Sequence, residues 1–369
     1  MAGDYFSTPA GLPEEHALAT LAIHDLLSQV QENPEPAATK SAGAMPEAWK
    51  LLARDSWLEL GAGDCSDIGG TVGLIRLAEE FGATLFCGPF AMTVGFVVPV
   101  LAACNSSDLA PVLRGDKVVT AILPTPEKSL PSLSWDWNGI ALQVQRDDLV
   151  QGTATFANVP FGGEADLFLL LCATPSGLRV AQVPSDRAGV RVVQEPSLDP
   201  TTPTATVVFE GLRLLDADWV AELADLDVLN SAMWRYLNLL NGEALGGAAE
   251  VLARAVSYVR ERRQFGVAVG GFQAVKHRLA KAVEALEVAR SQTYEAAQGS
   301  PRQDGLDLVC ARILAADAYV SICEAAIQVH GGFGVTWEQA IHFWYRRALQ
   351  ARTHPAPIAH FRRVLHDHL

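Results

Sequence analysis

Two segments late in the chain combine residue types that could hold a phosphorylated cofactor. The first, Arg262-Arg263-Gln264-Phe265-Gly266, follows an amphipathic stretch, and Gln273 stands eight residues beyond Phe265. The second, Gln328-Val329-His330-Gly331-Gly332-Phe333-Gly334, closes a later stretch. A guanidinium beside a glycine-containing turn between helices can pair with a diphosphate, and bare glycine backbone lets an adenine or ribose approach closely. Taken singly, Arg262 reads better as a solvated helix end, and Gly331, Gly332 and Gly334 as an ordinary C-cap and turn. Neither G-x-G-x-x-G nor a P-loop occurs, so a Rossmann or Walker route to nucleotide binding is excluded.

These residues need rigid elements beneath them, and the hydrophobic period changes twice along the chain. Residues 1–115 are mostly helical: Leu18, Leu21, Ala22 and Leu26 recur at helix spacing, and Pro46 precedes a second helix through Trp49, Leu52 and Ala53. Gly69, Gly70 and Gly73 punctuate ahead of a further helical run from Leu74 to Phe81. Over 116–222 the period becomes two. Ile140, Leu142 and Val144 alternate with polar residues, and the runs Leu167 to Cys172, Leu178 to Val183 and Thr206 to Phe209 are short and apolar or β-branched. Over 223–369 the period returns to 3.6. Val251, Leu252, Ala255, Val256 and Val259 share one face; Val275, Leu279, Ala282, Val283, Leu286 and Ala289 another; Leu306, Val309, Cys310, Ile313 and Leu314 a third. The spacing predicts an α+β protein with an N-terminal helical domain (1–115), a middle β domain (116–222) and a C-terminal helical bundle (223–369).

Composition narrows the function classes. The 369 residues are 49% hydrophobic and carry a formal net charge of −14, the wrong sign for a chain that wraps phosphate polymers or anionic lipid. Six cysteines form no C-x-x-C pair, and the first residues are acidic rather than a basic leader, so a reduced, cytoplasmic protein is expected. Thr84 to Cys104 has no charged residue, but Gly88, Pro89, Gly95 and Pro99 interrupt it, so helices and turns within a core are expected there rather than a membrane span.

Together, in this order and on this layout, the segments resemble the acyl-CoA dehydrogenase family along nearly the whole chain. The family's R-x-x-F-G with a downstream F-Q is matched by Arg262, Phe265, Gly266, Phe272 and Gln273, its Q-x-x-G-G-x-G by Gln328, Gly331, Gly332 and Gly334, and the following Y-R by Tyr345-Arg346. Gly152, Phe156, Ala165 and Asp166 match the β-domain pattern more loosely. The resemblance implies an N-terminal α domain, a middle β domain and a C-terminal four-helix bundle, assembled as a dimer or tetramer with FAD across a subunit interface. It further implies α,β-desaturation of an acyl-CoA, a carboxylate taking the α-proton while the β-hydride goes to the flavin. Carried over, Arg262 partners the diphosphate, Phe265 packs on the dinucleotide, Gln273 meets its polar edge, and Gln328, Gly331 and Gly332 give close backbone approach. His330 falls in a variable slot and is read as structural.

The sequence departs from the family where a base is needed. Nine residues after Arg346, where many members place the Glu of E-G-T, stands Pro355; the other family position falls on Tyr236, a phenol whose ordinary pKa near 10 keeps it protonated. The ring-binding T-E-P-x-x-G-S-D is replaced by Leu123-Pro124-Thr125-Pro126-Glu127-Lys128-Ser129-Leu130, and Phe156 stands for the Trp of W-I-T. Some members, notably steroid-degrading enzymes of actinobacteria, are heterotetramers (α2β2) in which one subunit type supplies the base and the other completes the FAD site; this chain resembles the second type. No catalytic residue of its own is then expected. The alternatives are a self-sufficient homo-oligomeric enzyme with its base moved to Glu243, about 10 Å farther along the same helix face, and a purely structural partner. A di-metal carboxylate bundle is excluded, because the C-terminal zone has no E-x-x-H.

Overall fold

The computed structural model describes residues 14–30, 47–63, 65–68, 70–123, 142–145, 148–222, 227–299, 305–336 and 339–368. Ile140, Gly69 and the segment from Pro124 to Leu130 lie outside them. The chain divides into two compact units, one drawn from Met1–Ala38, Cys65–Phe86 and Leu237–Leu369, the other from Thr39–Asp64 and Cys87–Tyr236.

The second of these units holds the strands. Its helix α2 (Glu47–Arg54) buries Ala48, Trp49, Leu52 and Ala53, one face at helical spacing. The uncharged stretch forms α4 (Phe90–Met92), a π-helical turn (Thr93–Val97) and α5 (Val98–Ala103), almost wholly buried, followed by α6 (Leu109–Leu113). Two sheets then pack face to face. Strands β1 (Val119–Ala121) and β2 (Leu142–Gln143) both run parallel to β4 (Leu167–Thr174), which pairs antiparallel with β5 (Gly177–Pro184) and that with β8 (Trp219–Glu222). The other sheet is β3 (Thr153–Pro160), β7 (Thr204–Glu210) and β6 (Val190–Gln194), in that order. Phe168, Leu170 and Cys172 alternate inward from β4 and meet Val207 and Phe209 of β7 in one core, Phe209 lying edge-on to Phe168 at 6.2 Å.

The first unit is helical. It contains α1 (Glu14–Val30), α3 (Gly70–Ala83), α7 (Asp227–Glu261) from Leu237 onward, α8 (Gln273–Gln298), α9 (Leu306–His330), α10 (Ile341–Ala351) and α11 (Ile358–His368). Four of these, α7 to α10, share one core in which Leu245, Leu286, Cys323 and Trp344 are almost inaccessible. Each such side chain contributes about 1.5–3 kcal/mol by leaving water. None of the six cysteines is joined in a disulfide.

Helix α3 begins four residues earlier than the hydrophobic run suggests, with Gly70 and Gly73 inside it rather than ahead of it. A Cβ on Gly73 would lie 1.7 Å from the Ile68 carbonyl oxygen, so the glycine lets the preceding turn fold directly on the helix. The same device joins α3 to α7. A Cβ on Gly82 would fall 1.9 Å from the Glu243 carbonyl oxygen, and one on Gly246 would fall 1.8 Å from that of Glu79, so the two backbones touch where glycines stand. Beside this crossing Glu79 is buried; it accepts from Arg290 Nη2 at 3.0 Å and from the Tyr294 hydroxyl at 2.8 Å.

Candidate functional site

Helix α7 ends where the Arg262 N–H donates to the Tyr258 carbonyl at 2.8 Å. A minimal hairpin follows. Strands β9 (Arg263–Gln264) and β10 (Val267–Ala268) pair antiparallel around a two-residue loop, Phe265 at φ 54 and Gly266 at φ 82. Positive φ at both loop positions is the turn that matches strand twist, normally built from Asn-Gly. A phenylalanine at the first position carries a left-handed penalty of about 1–2 kcal/mol. Its ring is 93% exposed, touching only the edge of Phe272 at 6.3 Å among described ring contacts, so burial does not offset that strain. Phe272 precedes α8, whose first residue is Gln273, exposed; as an apolar N-cap it leaves the positive end of α8 without a side-chain cap.

The second segment ends α9. Gln328 is exposed, and its carbonyl accepts the N–H of Gly331. The three glycines have different reasons to be glycine. Gly331 sits at φ 64, ψ −144, a conformation essentially confined to glycine. Gly334 is buried, and an added Cβ would come 2.7 Å from the Ile327 carbonyl oxygen. Gly332 is exposed, with nothing within 4 Å of an added Cβ, so nothing within the described chain requires it to be bare.

The structure brings these two segments to one end of the helical unit. The rings of Tyr258 and His330 stack with centroids 4.0 Å apart, Tyr258 one helical turn before Arg262 and His330 directly before Gly331. Burial pulls the His330 pKa down, its bond to the Ala326 carbonyl opposing, which favours a neutral ring. Sequence reasoning missed the charge around Arg262. Between 260 and 281 stand Arg260, Arg262, Arg263, Lys276, Arg278 and Lys281 against one acid, Glu261, in a chain of net charge −14. The side chains of Arg262, Arg263, Lys276, Arg278 and Lys281 have no ion-pair partner among the described residues, and all five stand on exposed positions. The density of basic residues was visible in the sequence; that both helix ends present it to solvent was not.

The base positions are built differently. Pro355 lies just past α10, where the carbonyls of Ala351, the last residue of that helix, and of His354 both accept from Nη2 of the buried Arg312, the latter at 2.8 Å. The Tyr236 side chain is 2% exposed. Glu243 is half-buried on α7 at the glycine crossing. In the β unit, Phe156 is edge-on to Phe209, and Asp166 accepts the Val118 N–H at 2.8 Å, a structural bond.

Residues 238–354, which contain both segments, match the family description "Acyl-CoA dehydrogenase, C-terminal domain". Those residues belong to the acyl-CoA dehydrogenase family. Members are FAD-dependent oxidoreductases acting on the CH–CH bond of acyl-CoA. The chain is 28% identical over 334 residues to acyl-CoA dehydrogenase FadE34 of Mycobacterium tuberculosis; the match takes in 85% of this chain but only 42% of FadE34. It is 26% identical over 328 residues to acyl-CoA dehydrogenase IpdE2 of Mycolicibacterium smegmatis, covering 86% of this chain and 88% of IpdE2. In fold it resembles a chain of the ChsE4-ChsE5 complex from Mycobacterium tuberculosis, with a TM-score of 0.81 at 21% identity over 97% of this chain and 98% of that one. Among the described residues no helix is long and apolar enough to cross a membrane.

Proposed function

We propose that this chain is an acyl-CoA dehydrogenase subunit that supplies the adenosine–diphosphate end of an intersubunit FAD site, in an enzyme whose α-proton base comes from a second, related subunit. The observation that carries the reading is the Phe265 turn: a strained, almost fully exposed aromatic among exposed cations, which the chain's own packing does not explain. The residues fit the group. Arg262 and Arg263 offer guanidiniums without ion-pair partners among the described residues, and Gly332 offers bare backbone with open space above it. Arg262 would hold the diphosphate by charge-assisted hydrogen bonds, Phe265 would cover the dinucleotide with its ring, and Gln273 and Gln328 would meet its polar edges. Gly331 and Gly332 would bring backbone close. When bound, FAD supplies the acceptor for the hydride that leaves the β-carbon.

The base is the part this chain lacks. Pro355 has no proton-accepting side chain, and Tyr236 is a buried phenol. Losing a general base typically removes a factor of about 10² to 10⁴ in rate. That the ChsE4-ChsE5 structure is a complex of two named components supports a heteromeric reading. Steroid side-chain thioesters are the first acyl-CoA substrates to test, and the cytoplasm is the proposed compartment.

The test compares the chain alone with the complex formed on co-expression with a related chain that carries the carboxylate. The lone chain is expected to retain little FAD and to leave flavin absorbance unchanged when acyl-CoA is added anaerobically, while the complex bleaches. Full bleaching by the lone chain would end the accessory-subunit reading. Loss of bleaching in Glu243→Gln with FAD still bound would instead assign the base to Glu243.

A further inference from the structure

The two exposed turns sit on helices far apart in sequence, and a ring contact joins their bases. Tyr258 and His330 stack at 4.0 Å with their planes 21° from parallel. Each is tied to a turn by backbone. The Tyr258 carbonyl accepts the Arg262 N–H, and the Arg262 carbonyl in turn accepts the Val269 N–H at 2.8 Å, which closes the hairpin. His330 is the last residue of α9, immediately before Gly331.

The imidazole is held on three sides. Nδ1 lies 2.7 Å from the Ala326 carbonyl, which can only accept, so Nδ1 carries the proton and the ring plane is set by α9 itself. The chain turns back over its Cβ so closely that a Cβ on Gly334 would approach it to 2.9 Å. Tyr258 covers its face. A ring oriented by one helix and stacked on a ring of another couples the two helix ends through a contact worth about 0.5–1.5 kcal/mol.

We propose that Tyr258 and His330 are a positioning pair for the diphosphate end of the flavin site, fixing the Arg262 turn against the Gly331-Gly332 turn so that guanidinium and bare backbone meet the same diphosphate. The proposal rests on the FAD reading above and adds residues that need not touch the cofactor. It explains why a buried histidine ends a helix whose next residues are exposed glycines.

The experiment titrates FAD into the deflavinated complex and reads the dissociation constant. Tyr258→Ala and His330→Ala are each expected to weaken binding about three- to tenfold, the worth of one stacked pair. Because they act through one contact, the double variant should be no weaker than the worse single one. Tyr258→Phe, which keeps the ring, should restore wild-type affinity. Additive losses, a Tyr258→Phe variant as weak as Tyr258→Ala, or unchanged affinity in both alanine variants while Arg262→Ala weakens binding would overturn the positioning role. If Arg262→Ala is also without effect, the FAD reading itself falls. Should an alanine variant not fold, Tyr258→Phe and Tyr258→Leu carry the test: the first keeps the stacked ring and is expected within about twofold of wild type, the second loses it and is expected about three- to tenfold weaker, and equal affinities would refute the pair.

Discussion

Replacing Phe265 by Asn should stabilise the chain and weaken its grip on the flavin at the same time. The first loop position of the hairpin stands at φ 54, followed by Gly266 at φ 82. A phenylalanine there costs about 1–2 kcal/mol, most of which Asn avoids because its short polar side chain tolerates the left-handed region. Little packing is given up in exchange. The ring is 93% exposed and meets Phe272 edge-on at 6.3 Å, so about 0.5 kcal/mol is a fair value for that pair on an open surface. The balance is a gain of roughly 0.5–1 kcal/mol in unfolding free energy, set against a fall in FAD affinity of about tenfold from losing the ring that would lie on the dinucleotide. Urea unfolding of the chain and FAD titration of the complex read the two effects separately. A variant destabilised by more than about 1 kcal/mol would show that Phe265 serves the fold, and unchanged FAD affinity would show that it does not serve the cofactor.

Arg262→Ala should leave unfolding unchanged, since no ion pair to its side chain exists among the described residues, while weakening FAD binding about ten- to a hundredfold, the worth of a charge-assisted bond. Gly246→Ala should behave oppositely: the added Cβ meets the Glu79 carbonyl at 1.8 Å, and overpacking outweighs the helix-propensity gain of about 1 kcal/mol, for a net loss of about 2 kcal/mol or more in thermal unfolding. His354 is pushed down to about 3 by burial and then by Arg312, so the folded chain keeps it neutral where the unfolded chain takes a proton. Its contribution is complete above the ordinary value near 6.5 and is lost as pH falls toward 3, by up to about 1.4 kcal/mol per unit, and unfolding of His354→Gln should show a shallower slope between about pH 6 and 4.

Two bundle registers were legible from period, but not that of α9: of Leu306, Val309, Cys310, Ile313 and Leu314 only Val309 is buried, because that helix is covered on most sides and its buried set also takes in Leu308, Ala311, Arg312 and Ala315. Val251, Leu252, Ala255 and Val259 of α7 are all within 3% of full burial, and Leu286 and Ala289 of α8 are inaccessible. The strand runs were legible for the same reason, Leu167 to Cys172 and Leu178 to Val183 falling inside β4 and β5. What period could not show was anything that depends on a distant partner. Nothing in a local window marks Gly82, Gly242 and Gly246, which stand where two helical backbones meet, with a Cβ on Gly242 only 2.7 Å from the Ile75 carbonyl oxygen. Arg262 and Gly331 could be picked out by type and spacing, but not the stack between Tyr258 and His330, because nothing in a local window pairs residues on different helices. Nor did residue type betray the strain at Phe265; only the backbone angle does.

The discontinuous make-up of the helical unit has a consequence for its synthesis. Helix α3 leaves the ribosome about 150 residues before Leu237, where the unit's share of α7 begins. At cellular rates of about 5–20 residues per second that interval is roughly 8–30 s. Throughout it, Ile75 and Ala78 lack the α7 backbone that meets them at Gly242, and Glu79 has neither Arg290 nor Tyr294. The nascent chain therefore carries an apolar helix whose carboxylate gains its partners only when the last third of the protein has been made. A fragment beginning at α7 would meet the mirror-image difficulty, with Arg290 and Tyr294 built to meet a helix that is not there.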